Sequence, residues 1–178
     1  IYVDDDNNEG PWYGTEEYPF QYIRDGINNS NNGDDIFVFN GIYNENIIIN
    51  KVINLIGEEK NSTIIDGQYE ETIINITVDK ITINNFTIRN SGGNKNNSAI
   101  KITSNDNKII NCSIYRAKTG ILINEAANNK IDNCSFNTNG FGITIYDSNN
   151  NTIVGCCFSH NSIGINIKNS NQNKIYYS

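Results

Sequence analysis

The sequence predicts an all-β solenoid: short parallel strands wound into stacked coils of about 22 residues, with a short helix capping the N-terminal end. Two observations carry this. The first is a strict period: Asn107, Asn129, Asn151 and Asn173 lie 22 residues apart, as do Gly120, Gly142 and Gly164, and Ile123, Ile145 and Ile167. A fixed repeat of this length means that each copy stacks on the next. The second is composition. One residue in five is Asn and only 37% of the chain is hydrophobic, yet the apolar residues are mostly Ile and keep a fixed register. Low hydrophobicity alone would allow disorder; β-branched residues on a register signal strands instead.

The 178 residues suit one domain with a continuous core. Residues 1–34 are read as a strand at 1–3, an acidic loop, and a helix opened by Pro19. Phe20, Ile23 and Ile27 share one face of that helix, and Asn31-Asn32-Gly33 ends it. A helix apolar on one side suits the capping of an open solenoid end. Trp12, Tyr13, Tyr18, Phe20 and Tyr22 are expected to seal the first coil rather than to form a sugar platform.

Residues 35–178 contain only strands and turns. Runs at 36–39, 47–49, 52–56, 62–65, 72–77, 81–83 and 86–88 form irregular early coils, and 91–97 is read as a loop insertion. From Asn107 the coils are regular. A fourth regular coil breaks off after Ile175, near Tyr176 and Tyr177. Either the chain is cut from a longer solenoid, or parallel pairing continues into another copy with these tyrosines at the junction.

Within a coil, Ile109, Ile131 and Ile153 form one apolar column, and Ile114, Phe136 and Phe158 another. Ile121, Ile143 and Ile165 form a third, beside Ile123, Ile145 and Ile167. At about 3.3 Å per residue, such a coil traces a path of about 60–70 Å. That fits three short strands around a narrow tube, with coils about 4.8 Å apart. The Asn107 column and the shorter Asn139 and Asn161 column are placed at corners. There Asn tolerates left-handed backbone and its amide can donate to the next coil. The Gly120 column is assigned to a corner needing positive φ or close packing. A leucine-rich repeat is excluded, because Leu55 and Leu122 are the only leucines.

Three stretches carry a resemblance: YVDDDNNEGPWYGTEEYPFQYIRDGI at the start, GDDIFVFNGIYNENIIINKVINLIGE followed by TIIDG, and the N-x-I-x-x-x-x-I/F…G-I-x-I coils. Together they span essentially the whole chain. It resembles a right-handed parallel β-helix of the pectate-lyase-like superfamily. Within that superfamily it is similar to the NosD-type, carbohydrate-binding-and-sugar-hydrolase repeats of archaeal and bacterial exported proteins. The resemblance implies the fold and an exported location, outside the cell or on its surface. It implies no single activity, since members range from lyases to adhesins to structural modules. An N-terminal Ile without a leader fits a product whose export signal is gone.

Net charge −7 and a pI near 4.6 set nucleic acid and anionic membranes aside as partners. No run of apolar residues is long enough to insert in a membrane. Cys112, Cys134 and Cys156 form one inward column with three readings open: a packed thiol ladder, which is favoured, one strained disulfide, or a Cu(I) site. Cys157 should face outward. The NosD resemblance raises copper, but His160 is the only His, no Met is present, and Arg116 and Thr138 occupy its column.

Glu125 and Asp147 fall on neighbouring coils and are the candidate catalytic or cation-holding pair; solvated edge residues are the favoured account. Asp4, Asp5 and Asp6 are a candidate calcium loop, weighed against a solvated turn. No other cofactor is expected. N-x-S/T sites at Asn28, Asn61, Asn75, Asn85, Asn96, Asn111, Asn133 and Asn150 permit glycosylation. The leading reading is a non-catalytic exported module, structural or adhesive, in a sheath, surface layer or filament. The alternative is a carbohydrate-active or polysaccharide-binding β-helix, and the third reading is periplasmic copper handling.

Overall fold

Ile, Asn and Gly on a shared register wind the chain into a parallel solenoid, seen in a computed structural model that describes residues 1–176. The first sheet stacks eight strands: Tyr2–Val3, Asp35–Val38, Asn54–Gly57, Thr82–Asn84, Lys108–Ile110, Lys130–Asp132, Thr152–Val154 and Lys174–Tyr176. The second stacks six: Gly41–Tyr43, Thr63–Asp66, Thr87–Arg89, Ser113–Tyr115, Ser135–Asn137 and Cys157–Ser159. The third stacks six more, Ile47–Ile49, Ile74–Ile76, Ile100–Ile102, Thr119–Asn124, Phe141–Tyr146 and Ile163–Lys168.

Like stacks on like. Ile83, Ile109, Ile131, Ile153 and Ile175 are successive partners in the first sheet, and Ile88, Ile114, Phe136 and Phe158 in the second. Their side chains meet those of the third sheet in one continuous core. Phe136 and Phe158 stack with ring centroids 5.0 Å apart. Each strand buries one face only, as in Lys108–Ile110 and Lys130–Asp132, where the central Ile is buried and its neighbours point outward.

The corners follow one rule, repeated four times per coil. A residue with left-handed backbone is followed by an inward residue that is small or polar. Asp106, Asn128, Asn150 and Gln172 have φ of 57–59°, and the ladder asparagines come directly after them. Asn129 Oδ1 accepts from both the backbone N and the Nδ2 of Asn107 at 2.9 Å, and the pattern repeats through Asn151 and Asn173. The expected amide ladder is present, but the left-handed residue is its neighbour. At the next corner Cys134 Sγ takes the same role, facing the Cys112 backbone N at 3.5 Å. Asn139 and Ser148 do so for Ala117 and Ala126.

Gly120, Gly142 and Gly164 lie within strands and do not have positive φ. Close packing is their reason: a Cβ on Gly142 would sit 2.4 Å from the Gly164 carbonyl oxygen and 2.8 Å from the Phe158 ring.

The N-terminal region departs from expectation. The helix is Ile23–Asn29, not a segment opened by Pro19. Phe20 is held in a parallel bridge to Val3, with its N–H on the Tyr2 carbonyl and its own carbonyl accepting from Asp4, so helix cannot begin there. Two distant side chains pin the helix instead. The Glu45 carboxylate accepts from the N–H groups of Ile23 and Arg24 at 2.7 and 3.1 Å. At the other end Lys51 Nζ donates to the carbonyls of Ile27, Asn28 and Ser30. Anion at the start and cation at the end both suit the helix dipole. Val3, Ile23 and Ile27 close the core. Trp12 and Tyr13 do not: they are 49% and 69% exposed. Trp12 donates to the Asn7 carbonyl within its own loop, and Tyr13 rests edge-on against Tyr18.

Strands Gly41–Tyr43 and Ile100–Ile102 were not evident from the sequence pattern. Residues 91–97 form the expected loop. In the last coil Ile163 and Ile167 are exposed, and Tyr176 is half exposed. The junction role expected of Tyr177 lies outside the described residues.

Candidate functional site

Outward-facing residues carry whatever chemistry this solenoid has, because its interior is packed. The carboxylates of Glu125 and Asp147 fall in the fourth left-handed corner, with φ of 52° and 48°. Both are exposed on a shallow concavity of about 150 Å³ that Asn105 and Asn149 also line. The structure brings them together on consecutive coils, both exposed and neither in an ion pair among the described residues.

The three N-terminal aspartates do not converge. Asp4 Oδ1 accepts from the Asp6 N–H, while Asp5 turns to the second sheet and accepts from the Ile42 N–H at 3.0 Å. Burial, followed by its acidic neighbours, raises the Asp5 pKa against that hydrogen bond. No group of three His, Cys, Asp or Glu side chains is close enough to hold a metal ion among the described residues.

Cys112, Cys134 and Cys156 are buried and free, and Cys157 is exposed. The neighbouring Cys112 side chain, then burial, pushes the Cys134 thiol well above its ordinary range. Cys156 is raised in the same way. Cys112 is shifted the other way: burial works to raise it, but its hydrogen bonding to Cys134 and to backbone outweighs that and lowers it. What keeps all three thiols from reagents is burial. His160 stands exposed at a left-handed corner.

Three sequon asparagines, Asn85, Asn111 and Asn133, share one corner column. Asn111 Nδ2 donates to Asn85 Oδ1, and Asn133 Nδ2 to Asn111 Oδ1. Glycans attach at Nδ2, and neighbours about 4.8 Å apart leave no room for adjacent ones. Asn75 is half-buried, whereas Asn28, Asn61, Asn96 and Asn150 are exposed.

One buried ion pair lies outward on the second sheet. Register places Asp66 beside Arg89, and Arg89 beside Tyr115. Arg89 Nε donates to Asp66 Oδ2 at 2.6 Å, Asn90 Nδ2 donates to both carboxylate oxygens, and the Gln68 N–H reaches Oδ1. Burial works to raise the Asp66 pKa, but these bonds and the guanidinium charge outweigh it and hold the carboxyl below its usual range. Glu45 lines the same polar concavity of about 250 Å³ and is shifted the other way, by burial. Oppositely tuned carboxyls can mark an acid–base pair. Here both are occupied, Glu45 by the helix N-terminus and Asp66 by Arg89 and Asn90. They tie coils together.

The first sheet holds a different feature. Tyr2 pairs with Phe37, and Phe37 with Ile56, so the three form an outward column; Phe39 stands just beyond. Tyr2 and Phe39 stack at 6.1 Å and 24°, and Phe37 meets Phe39 edge-on at 5.2 Å. These half-buried rings floor a groove of about 460 Å³, rimmed by the carboxylates of Glu16, Asp35 and Glu58. Asp35 Oδ1 accepts from Asn54 Nδ2, and Glu58 Oε2 from the Asn40 N–H. The other oxygen of each has no partner among the described residues. Among the described residues no Lys or Arg side chain lines the groove, and the Ile1 amino group donates to the Asp35 carbonyl. Sequence reasoning missed this site. Its signal was the alternation Phe37-Val38-Phe39, which turns two rings to one face of a strand.

Comparison with known proteins agrees with the architecture. A family profile described as a right handed beta helix region matches residues 71–178. No curated protein sequence matches the chain. Among solved structures, the pectin methylesterase PemA from Erwinia chrysanthemi superposes with a TM-score of 0.63 at 16% identity, over 98% of this chain and 66% of that one. A pectin methylesterase in complex with a hexasaccharide gives 0.61 at 16% identity, over 99% and 66%. ORF18 of Geobacillus virus E2 gives 0.64 at 15% identity, over 99% and 47%. The chain thus spans under two thirds of these neighbours, and at such identities the likeness is one of fold.

Proposed function

The chain belongs to the right-handed β-helix family, and from that premise we propose that it is a carbohydrate-binding β-helix module whose recognition surface is the Tyr2–Phe37–Phe39 groove. The groove itself carries the reading. A sugar ring offers an apolar face of C–H groups and an edge of hydroxyls. Three aromatic rings beside carboxylate acceptors match both, in the pattern of a mostly apolar site with few placed polar groups. A fold neighbour captured with a hexasaccharide supports the reading by analogy. An exported location fits the same role.

The test is a binding screen of the purified chain against neutral, acidic and amino polysaccharides. Binding lost in Phe39→Ala, with circular dichroism unchanged, is the expected result. Wild-type binding to none of the polysaccharides overturns the proposal, as does binding that Phe39→Ala leaves intact. Turnover abolished by Glu125→Gln or Asp147→Asn replaces it with an enzymatic one.

A second reading, as a self-pairing structural module, draws on the last described coil. Phe158, Ile165, Ile167 and Ile175 line an apolar concavity of about 690 Å³ there. A further coil would cover this face, whether from the same chain or another copy. Sedimentation at rising concentration tests pairing between copies: a persistent monomer counts against it.

A further inference from the structure

The chemical class of sugar follows from charge. Residues 1–89 hold sixteen Asp and Glu against five Lys and Arg; residues 90–178 hold four against eight. In a solenoid, sequence position is axial position, so this imbalance becomes a gradient along the molecule. The aromatic groove sits at the acidic end. Glu16, Asp35 and Glu58 surround it, and two of these carboxylates keep an unpartnered oxygen. On the same face of the first sheet, the column that begins with Asp35 and Asn54 continues as Thr82, Lys108, Lys130, Thr152 and Lys174. Nothing about sheet geometry requires this switch of sign.

We infer that the groove takes a cationic amino sugar, an oligomer of glucosamine type, rather than an acidic or neutral glycan; this rests on the carbohydrate-binding reading. An ammonium group on the ring gains twice. The aromatic faces attract it as a cation, and the rim carboxylates accept its N–H groups in charge-assisted bonds. A uronate in the same place meets three like charges at close range, which is the usual means of rejecting a wrong partner. A neutral sugar keeps the stacking and loses the ion pairs.

Calorimetric titration of the full chain with three sugar hexamers, glucosamine, N-acetylglucosamine and galacturonate, and with a lysine hexamer as the peptide control tests this. The glucosamine hexamer should bind about tenfold more tightly than its N-acetylated counterpart at low salt. That margin should shrink as salt rises and in the variant Asp35→Asn with Glu58→Gln, which keeps the hydrogen-bond acceptors. Equal affinity for the first two hexamers overturns the inference and leaves the carbohydrate reading standing. Tightest binding to the galacturonate hexamer also overturns it. Failure of all three sugars to bind overturns the carbohydrate reading itself. A lysine hexamer that binds as tightly as glucosamine, and equally well to Phe39→Ala, assigns the site to basic peptides and overturns both.

Discussion

Asp66 and Arg89 show what one outward pair can do in a solenoid. Asp66 is nearly buried, so its charge depends on Arg89, Asn90 and the Gln68 N–H. Arg89→Met would leave that carboxylate without its cation. A loss of about 3 kcal/mol in denaturant unfolding at neutral pH is expected, at the low end for a broken buried pair because Arg89 is partly exposed. The pH dependence has a definite sign. The folded pKa of Asp66 lies below the ordinary carboxylate value of 3.8, so its stabilisation is complete above pH 3.8 and fades as pH falls through the lowered value. Asp66→Asn should remove that acid-limb slope; a slope unchanged from wild type would refute the assignment. Gly142→Ala should cost about 1–3 kcal/mol by overpacking against the Phe158 ring and the next coil. Among the four thiols, only Cys157 should react with iodoacetamide in the native protein. Two or more rapid labels per chain would contradict the buried column.

The regular coils were the legible elements, because each strand repeats its neighbour and the pattern reports the packing directly. Ile109, Ile131 and Ile153 needed no tertiary knowledge to be placed. The corners were less legible: a left-handed residue and an inward polar residue follow each other, and a column of asparagines does not say which is which. The capping helix was misplaced for a different reason. Its start depends on Phe20 pairing with Val3 and on Glu45 reaching back 22 residues to the Ile23 N–H, and neither contact is local. Glu45→Ala and Lys51→Met should each destabilise the cap by about 1–2 kcal/mol. Hydrogen exchange should then accelerate in Ile23–Asn29 ahead of the coils from Asn107 onward. Uniform acceleration along the chain would mean that the helix is not a separately pinned element. Removing a ladder rung is a harsher change: Asn129→Leu strands the Asn107 N–H in the core, at about 2 kcal/mol or more.

At the scale of the whole molecule, the fold was legible and the site was not. A period announces a solenoid, whereas a binding groove forms where the period is absent, among irregular coils whose neighbours only the structure brings together. Tyr2 and Phe37 lie 35 residues apart in the chain and side by side in the sheet. The charge gradient was present in the composition of the two halves, and it acquires meaning only once the chain is wound along an axis. On the proposed function, recognition falls at the acidic, irregular end and the regular coils are its rigid support. The most direct measurement is a heteronuclear NMR titration of the chain with glucosamine hexamer. The account predicts shifts confined to Tyr2, Phe37, Phe39, Ile56 and the rim residues Glu16, Asp35 and Glu58. Shifts centred on Glu125 and Asp147, or no shifts at saturating sugar, would contradict it.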